Sequence, residues 1–185
     1  MRMADVKRNF GNKTTWDKPF EEHFVAFARE ANRAVFDNGK VNKAINQNAI
    51  DIKNDFDLVY IDTPYISQRG VGVDYLAFYH FLEGLVDYEN WANKIDFSTK
   101  HRQLHKQSNE WIDKKAIHQA FDKLFTRFKD SILAVSYRSD GIPSVDELVL
   151  LLQKYKADVQ VHLFKEYKYV LSKNGQSDEV LIIGL

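Results

Sequence analysis

Two short apolar runs constrain the fold of this chain more than any other feature. Residues 58–61, Leu-Val-Tyr-Ile, and residues 131–137, Ser-Ile-Leu-Ala-Val-Ser-Tyr, have strand length and turn chemistry at their ends. Runs this apolar suit strands inside a covered sheet rather than surface ribbons. Between them lies a long stretch of helical periodicity, so the two strands are expected to run parallel, joined by a helical crossover.

The remaining segments extend that pattern. A helix is expected from residue 17, with Asp17 as its cap, Pro19 in its first turn and Phe20, Phe24, Phe27, Ala28, Ala31 and Val35 recurring at helical spacing; Asn38-Gly39 ends it. Residues 41–52 alternate weakly, as a short strand does. Aromatic and leucine residues over 76–95 recur at helical intervals, and residues 109–129 carry an apolar stripe of Trp111, Ile112, Ala116, Ala120, Phe121, Leu124, Phe125 and Phe128. Ser144 followed by Glu147 marks a capping box at the start of another helix. Residues 159–171 alternate, 172–178 form a turn, and 179–185 close the chain as a strand. The fold class is therefore α/β: a mostly parallel sheet with a final antiparallel hairpin and helices on both faces. Residues 1–16, polar and aperiodic, read as a flexible arm, and 17–185 as one structured region.

Composition excludes several chemistries. The 185 residues contain no cysteine, which removes disulfides, thiolate metal sites and cysteine nucleophiles. His101 and His105 have helical spacing, but their neighbours are basic and no carboxylate is adjacent, so no metal site is expected. With no long apolar run and no export leader, the chain reads as cytoplasmic, without a membrane partner. Net charge is zero, yet residues 94–138 hold ten Lys and Arg against five Asp and Glu. That interval is either a basic face toward a polyanion or an ordinary solvated surface.

The first apolar run ends in Asp62-Thr63-Pro64-Tyr65. In open parallel sheets, ligands gather at the carboxyl ends of strands, where these residues fall. A carboxylate accepts hydrogen bonds, Pro64 biases Thr63 toward an extended backbone that aims its carbonyl, and Tyr65 offers a flat stacking face. Together they suit a planar group bearing an NH2. The bland alternative is a capping aspartate, a turn proline and a packed tyrosine.

The run "DLVYIDTPY" resembles the D-(I/L)-V-Y-x-D-P-P-Y motif of the Dam-like DNA adenine methyltransferases, which move a methyl group from S-adenosylmethionine to the exocyclic amine of adenine. Further segments are similar and follow in order: "YHFLEGL" (79–85), "NW" (90–91), "SYRSDGIPSVDELVLLLQKY" (136–155), "YKYVLS" (167–172) and "EVLIIG" (179–184). The resemblance covers roughly residues 35–185 and implies a partial Rossmann-like methyltransferase sheet. It assigns Asp62 and the Thr63 carbonyl to the amine hydrogens, Tyr65 to stacking on a flipped base, and Pro64 to rigidity. It places Asn48 near the adenine of S-adenosylmethionine. Ser136, Tyr137 and Arg138 would flank the same pocket, with Tyr137 and Arg138 joining Arg69, Lys100, Arg102 and Lys106 as DNA contacts; Tyr137 as a core residue is the alternative.

Two departures qualify what the resemblance implies. Thr63 stands where the family usually has proline. The family's early F-x-G-x-G loop, which holds the cofactor, occurs nowhere among the eight glycines of this chain; Gly70 and Gly72 follow the motif strand rather than precede it. The expectation is a carboxyl-terminal catalytic half whose motif strand has an open edge. That edge would meet a separate amino-terminal half or a second copy, with double-stranded DNA as substrate. The alternative is a non-catalytic methyltransferase-like remnant acting as a DNA-binding or partner subunit.

Overall fold

The computed structural model describes residues 18–164 and 177–185. The expected arm at 1–16, the Asp17 cap and most of the expected turn at 172–178 lie outside them. The chain divides into two compact units, Met1–Asn46 and Gln47–Leu185.

In the first unit, the helix Phe20–Ala34 begins with Pro19 in the capping position and no side-chain cap. Its last turn closes before Asn38-Gly39, and Gly39 takes a left-handed φ of 68° that glycine adopts without penalty. None of the helix is buried.

The second unit carries a four-stranded sheet. Strand β1 is Leu58–Asp62, β3 Ile132–Arg138, β5 Val159–Phe164 and β6 Glu179–Gly184, in the spatial order β1-β3-β6-β5. β1 and β3 are parallel, in register from Leu58 with Ile132 to Asp62 with Ser136. β6 runs against both of its neighbours. Three strands thus share one direction, and the antiparallel hairpin partner sits between β3 and β5 rather than at the rim. A two-stranded ribbon, β2 (Ile66–Ser67) with β4 (Gly141–Ile142), ties the loop after β1 to the turn after β3.

The core lies on one face of the sheet. Ile61 of β1, Leu133, Val135 and Tyr137 of β3, and Val180 and Ile182 of β6 pack with Ile117, Phe121, Leu124 and Phe125 of the helix Ile117–Arg127. Leu148 and Leu152 of the helix Val145–Leu152 join the same cluster. That second helix starts with the expected capping box, Ser144 and Glu147 bonding each other's backbone. Helices on both faces were expected, yet among the described residues both longer helices of this unit feed one cluster. On the other face Leu58 is 54% and Tyr60 60% exposed.

Other expectations are corrected locally. Residues 41–52 form no strand; Asn48 instead caps a short 3₁₀ turn at Ala49–Asp51. The helix expected from 109 begins at Ile117. Asn109 and Asp113 each bond a backbone N–H two residues on, at 3.0 and 2.8 Å, and such turns compete with helix. The 76–95 region breaks into short helices, Tyr75–Phe78, His80–Val86 and Tyr88–Trp91. His101 and His105 share no helix face: the His105 N–H bonds the Lys94 carbonyl and Ile95 bridges Leu104.

Candidate active site

Asp62 is the last residue of β1, solvent-exposed and on the open sheet face. Two devices set its position from below. Parallel pairing with β3 fixes the strand, and Arg127 fixes its approach, donating to the carbonyls of Ile52 at 2.6 Å and Asn54 at 2.9 Å. Nothing in the periodicity of the sequence pointed to Arg127.

Tyr65 turns back on the strand end and its hydroxyl donates to Asp62 Oδ1 at 3.0 Å. Burial pushes the Tyr65 phenol far up; the Ser136 hydrogen bond pulls the other way, and Asp62 and Glu179 add to the rise. It is a neutral donor across the physiological range. Tyr75 also stands near Asp62. Burial raises its phenol, with the Asp62 charge contributing, and its ring stacks on Tyr79 at 5.9 Å.

Tyr137, expected either at the DNA surface or in the core, is fully buried and is a core residue, so it cannot serve as a surface contact. Its ring meets Phe121 edge-on at 5.7 Å, and its hydroxyl donates to the Ile142 carbonyl at 2.6 Å. Burial drives its phenol up as well, opposed by the backbone N–H of Ile66, which bonds the same oxygen. One hydroxyl thereby joins β2 to β4 directly behind Tyr65.

Arg138 points to Asp140, donating from both Nε and a terminal nitrogen at 2.6 and 2.9 Å. Arg69 occupies the exposed turn of the β2 loop, where Gly70 has φ 76°. Lys100, Arg102 and Lys106 are grouped in the 96–106 loop. The Arg102 guanidinium bonds the Phe97 carbonyl and lies over the Phe97 ring, 4.9 Å from its centroid.

An open cleft of about 610 Å³ runs along the free side of β1. Asn48, Ile52, Phe56, Asp62, Thr63 and Pro64 are among its lining residues, so the structure brings Asn48 and the motif into one cleft. The Thr63 hydroxyl is enclosed without a hydrogen-bond partner. A buried hydroxyl left unpaired costs stability. Among the described residues no group of three or more His, Asp or Glu side chains is placed to hold a metal ion, and no helix is long and apolar enough to cross a membrane.

No protein-family model matches the chain, and no solved structure does. Curated relatives do. The chain is 31% identical over 155 residues to modification methylase StsI of Streptococcus sanguinis, a match covering 76% of this chain and 21% of that one. It is 28% identical over 156 residues to type II methyltransferase M2.HphI of Haemophilus parahaemolyticus, covering 80% and 42%. It is 28% identical over 135 residues to modification methylase LlaI of Lactococcus lactis subsp. lactis, covering 71% and 20%. The chain thus spans about a fifth to two fifths of the length of these relatives, and what it is similar to is a segment of modification methylases and type II methyltransferases.

Proposed function

We propose that this chain is the amine-binding, carboxyl-terminal part of a DNA adenine methyltransferase. The observation that carries the reading is Asp62-Thr63-Pro64-Tyr65 at the carboxyl end of β1, beside a cleft, in a chain similar to modification methylases. An adenine amine shares its lone pair with the ring and is a weak nucleophile. Asp62 and the Thr63 carbonyl accept its two N–H bonds and draw the lone pair back onto nitrogen, and Tyr65 stacks on the base once it leaves the duplex. Polarising the amine needs acceptors of fixed direction, which β1 and the β2–β4 ribbon supply.

S-adenosylmethionine supplies the electron-poor methyl carbon. The residues present fit one wall of a site for it. The cleft lies within the usual range for small-molecule sites, about 300–1,000 Å³, and Asn48 and Thr63 are among its lining residues. Arg69, Lys100, Arg102 and Lys106 serve as phosphate contacts that position double-stranded DNA without reading its sequence. Arg138 reaches DNA only if its pair with Asp140 opens.

Among the described residues β1 ends the sheet order, so its outer edge offers backbone N–H and C=O groups for pairing. An amino-terminal methyltransferase segment adds its strands there and covers the exposed Leu58 and Tyr60, or a second copy does so. A non-catalytic DNA-binding or partner subunit is the second reading, favoured by the lack of an F-x-G-x-G loop in the chain.

Calorimetric titration of S-adenosylmethionine into the chain, alone and with a separate polypeptide carrying such a loop, tests the choice. Binding tighter than millimolar only in the mixture supports the half-enzyme. No binding in either supports the non-catalytic subunit.

A further inference from the structure

Residues 94–106 carry Lys94, Lys100, Arg102 and Lys106 against a single acid, Asp96. They fold as a closed loop: the Asp96 N–H bonds the Gln103 carbonyl at 2.7 Å, the His105 N–H bonds the Lys94 carbonyl at 2.9 Å, and Ile95 bridges Leu104. Asp96 is spent on Ser98, and Lys94 on Asp87. The Phe97 ring stands 58% exposed, with the Arg102 guanidinium 4.9 Å from its centroid and bonded to the Phe97 carbonyl.

One exposed phenylalanine needs no explanation by itself. This one is backed by a residue held in an uncommon conformation. Arg102 has φ 52°, a left-handed backbone that a long side chain rarely adopts and that persists only where its surroundings fix it. Its N–H bonds the Thr99 carbonyl at 3.2 Å, and its own carbonyl accepts from His80 Nε2 at 3.2 Å. His80 has one tautomer there, because its Nδ1 accepts from the Trp91 indole at 3.0 Å. Trp91 is buried against Gly84, where a Cβ would meet the indole at 2.8 Å. A chain of fitted contacts thus runs from the helix His80–Val86 to Arg102, and through Arg102 to Phe97.

We propose that the exposed Phe97 ring, backed by Arg102, is a stacking site for an unstacked base of DNA, with Lys100 and Lys106 of the same segment on the phosphates. A guanidinium over a phenyl ring is a cation–π pair, and a ring fixed in this way has little freedom left to lose when a base lands on it. The remaining N–H groups of Arg102 can still meet a phosphate. Every base has a π face, so the ring selects no sequence. In a paired duplex the faces of each base are covered by its neighbours, and the site therefore favours single-stranded or unpaired nucleotides. It is separate from Tyr65, which takes the base to be methylated. The proposal rests on the reading of this chain as a DNA-binding segment of a methyltransferase, and it adds a second stacking position to that reading.

Fluorescence anisotropy at low salt, with the full chain, tests this on three labelled DNAs: a single strand, a strand of the same length with stable abasic residues over its centre, and the paired duplex. Phe97→Ala and Phe97→Leu are expected to weaken binding of the single strand about tenfold, the scale of one base–aromatic stack, and to leave the abasic strand and the duplex as in the parent. Phe97→Trp is expected to keep the parent's affinity. The same pattern is expected in a Tyr65→Ala background, because the two rings take different bases. Phe97→Ala should leave the salt dependence unchanged, whereas Lys100→Ala should make it shallower by about one ion. Strands carrying 5-iodouracil are expected to crosslink at Phe97 on irradiation. Circular-dichroism melts identify any variant that has unfolded, and the crosslink to the parent chain then decides. Single-strand binding by Phe97→Ala as tight as the parent's, equal weakening on all three DNAs, or crosslinks that avoid Phe97 overturn this proposal alone and leave the DNA reading standing. A parent chain that binds none of the three DNAs overturns the DNA reading, and this proposal with it.

Discussion

Tyr65 and Tyr137 meet edge to face, their ring centroids 5.4 Å apart and their planes at 79°. Through this contact the motif residue is backed by the core, since Tyr137 is fully buried and stapled to both strands of the β2–β4 ribbon. The orientation of the Tyr65 ring is thus set by a neighbour that is itself closed to solvent.

Tyr137→Phe keeps the ring and removes the hydroxyl, which takes a donor from the partly buried Ile142 carbonyl. The expected loss is about 1–3 kcal/mol of stability, read by urea denaturation, with the ribbon opening before the sheet in hydrogen exchange. A variant as stable as the parent would mean the staple is idle.

Gly72 is required by packing. A Cβ there would meet the Cβ of Ile112 at 2.6 Å and its carbonyl oxygen at 2.9 Å, and backbone cannot swing aside as a side-chain tip can. Gly72→Ala is expected to cost about 1–3 kcal/mol, as overpacked sites do, measured as a lowered melting temperature.

Acid should weaken the sheet end in a defined window. Burial works to raise the Asp140 carboxyl, but hydrogen bonds from Arg138 and Ser177 outweigh it and hold the group below its ordinary value of 3.8. A depressed carboxylate stabilises the fold fully above its unfolded pKa and loses that contribution as pH falls through the folded one. Melting temperature should therefore drop below about pH 4, near the unfolded aspartate value. Asp140→Asn should show a shallower drop. Equal slopes in parent and variant would contradict the assignment.

The outer edge of β1, last in the sheet order among the described residues, predicts association. Static light scattering should give a mass above one chain at micromolar concentration, or a stable complex with an added amino-terminal segment. Tyr60→Lys, which puts a charge on the exposed face beside that edge, should reduce either. A single-chain mass under every condition would count against both partners.

Much of this was legible in the sequence, for reasons that differ by element. The apolar runs of β1 and β3, separated by a long stretch of helical periodicity, announced a parallel pair joined by a crossover, and the Ser144–Glu147 box marked a helix start through its own hydrogen bonds. Asp62 to Tyr65 could be placed at a strand end from local order alone. Local pattern could not place β6 between β3 and β5, and so could not bring Glu179 to Ser136. Nor could it show that Asn109 and Asp113 would spend their side chains on turns, delaying the helix to Ile117. For Tyr137 a DNA contact and a core position were both open, and its place in β3 against helix Ile117–Arg127 settles it as core.

The central claim is that Asp62 and its neighbours polarise an adenine amine for methylation. Transfer of labelled methyl from S-adenosylmethionine to duplex DNA tests it most directly, comparing the chain alone, the chain with a separate polypeptide bearing an F-x-G-x-G loop, and that mixture with Asp62→Ala. The account expects little transfer by the chain alone, label on the exocyclic nitrogen of adenine in the mixture, and a loss of roughly 100-fold or more in the variant, the scale for removing one preorganised polar contact to a reacting group. Robust transfer by the chain alone would contradict its being one half of the enzyme, and transfer by the mixture that survives Asp62→Ala would contradict the clamp.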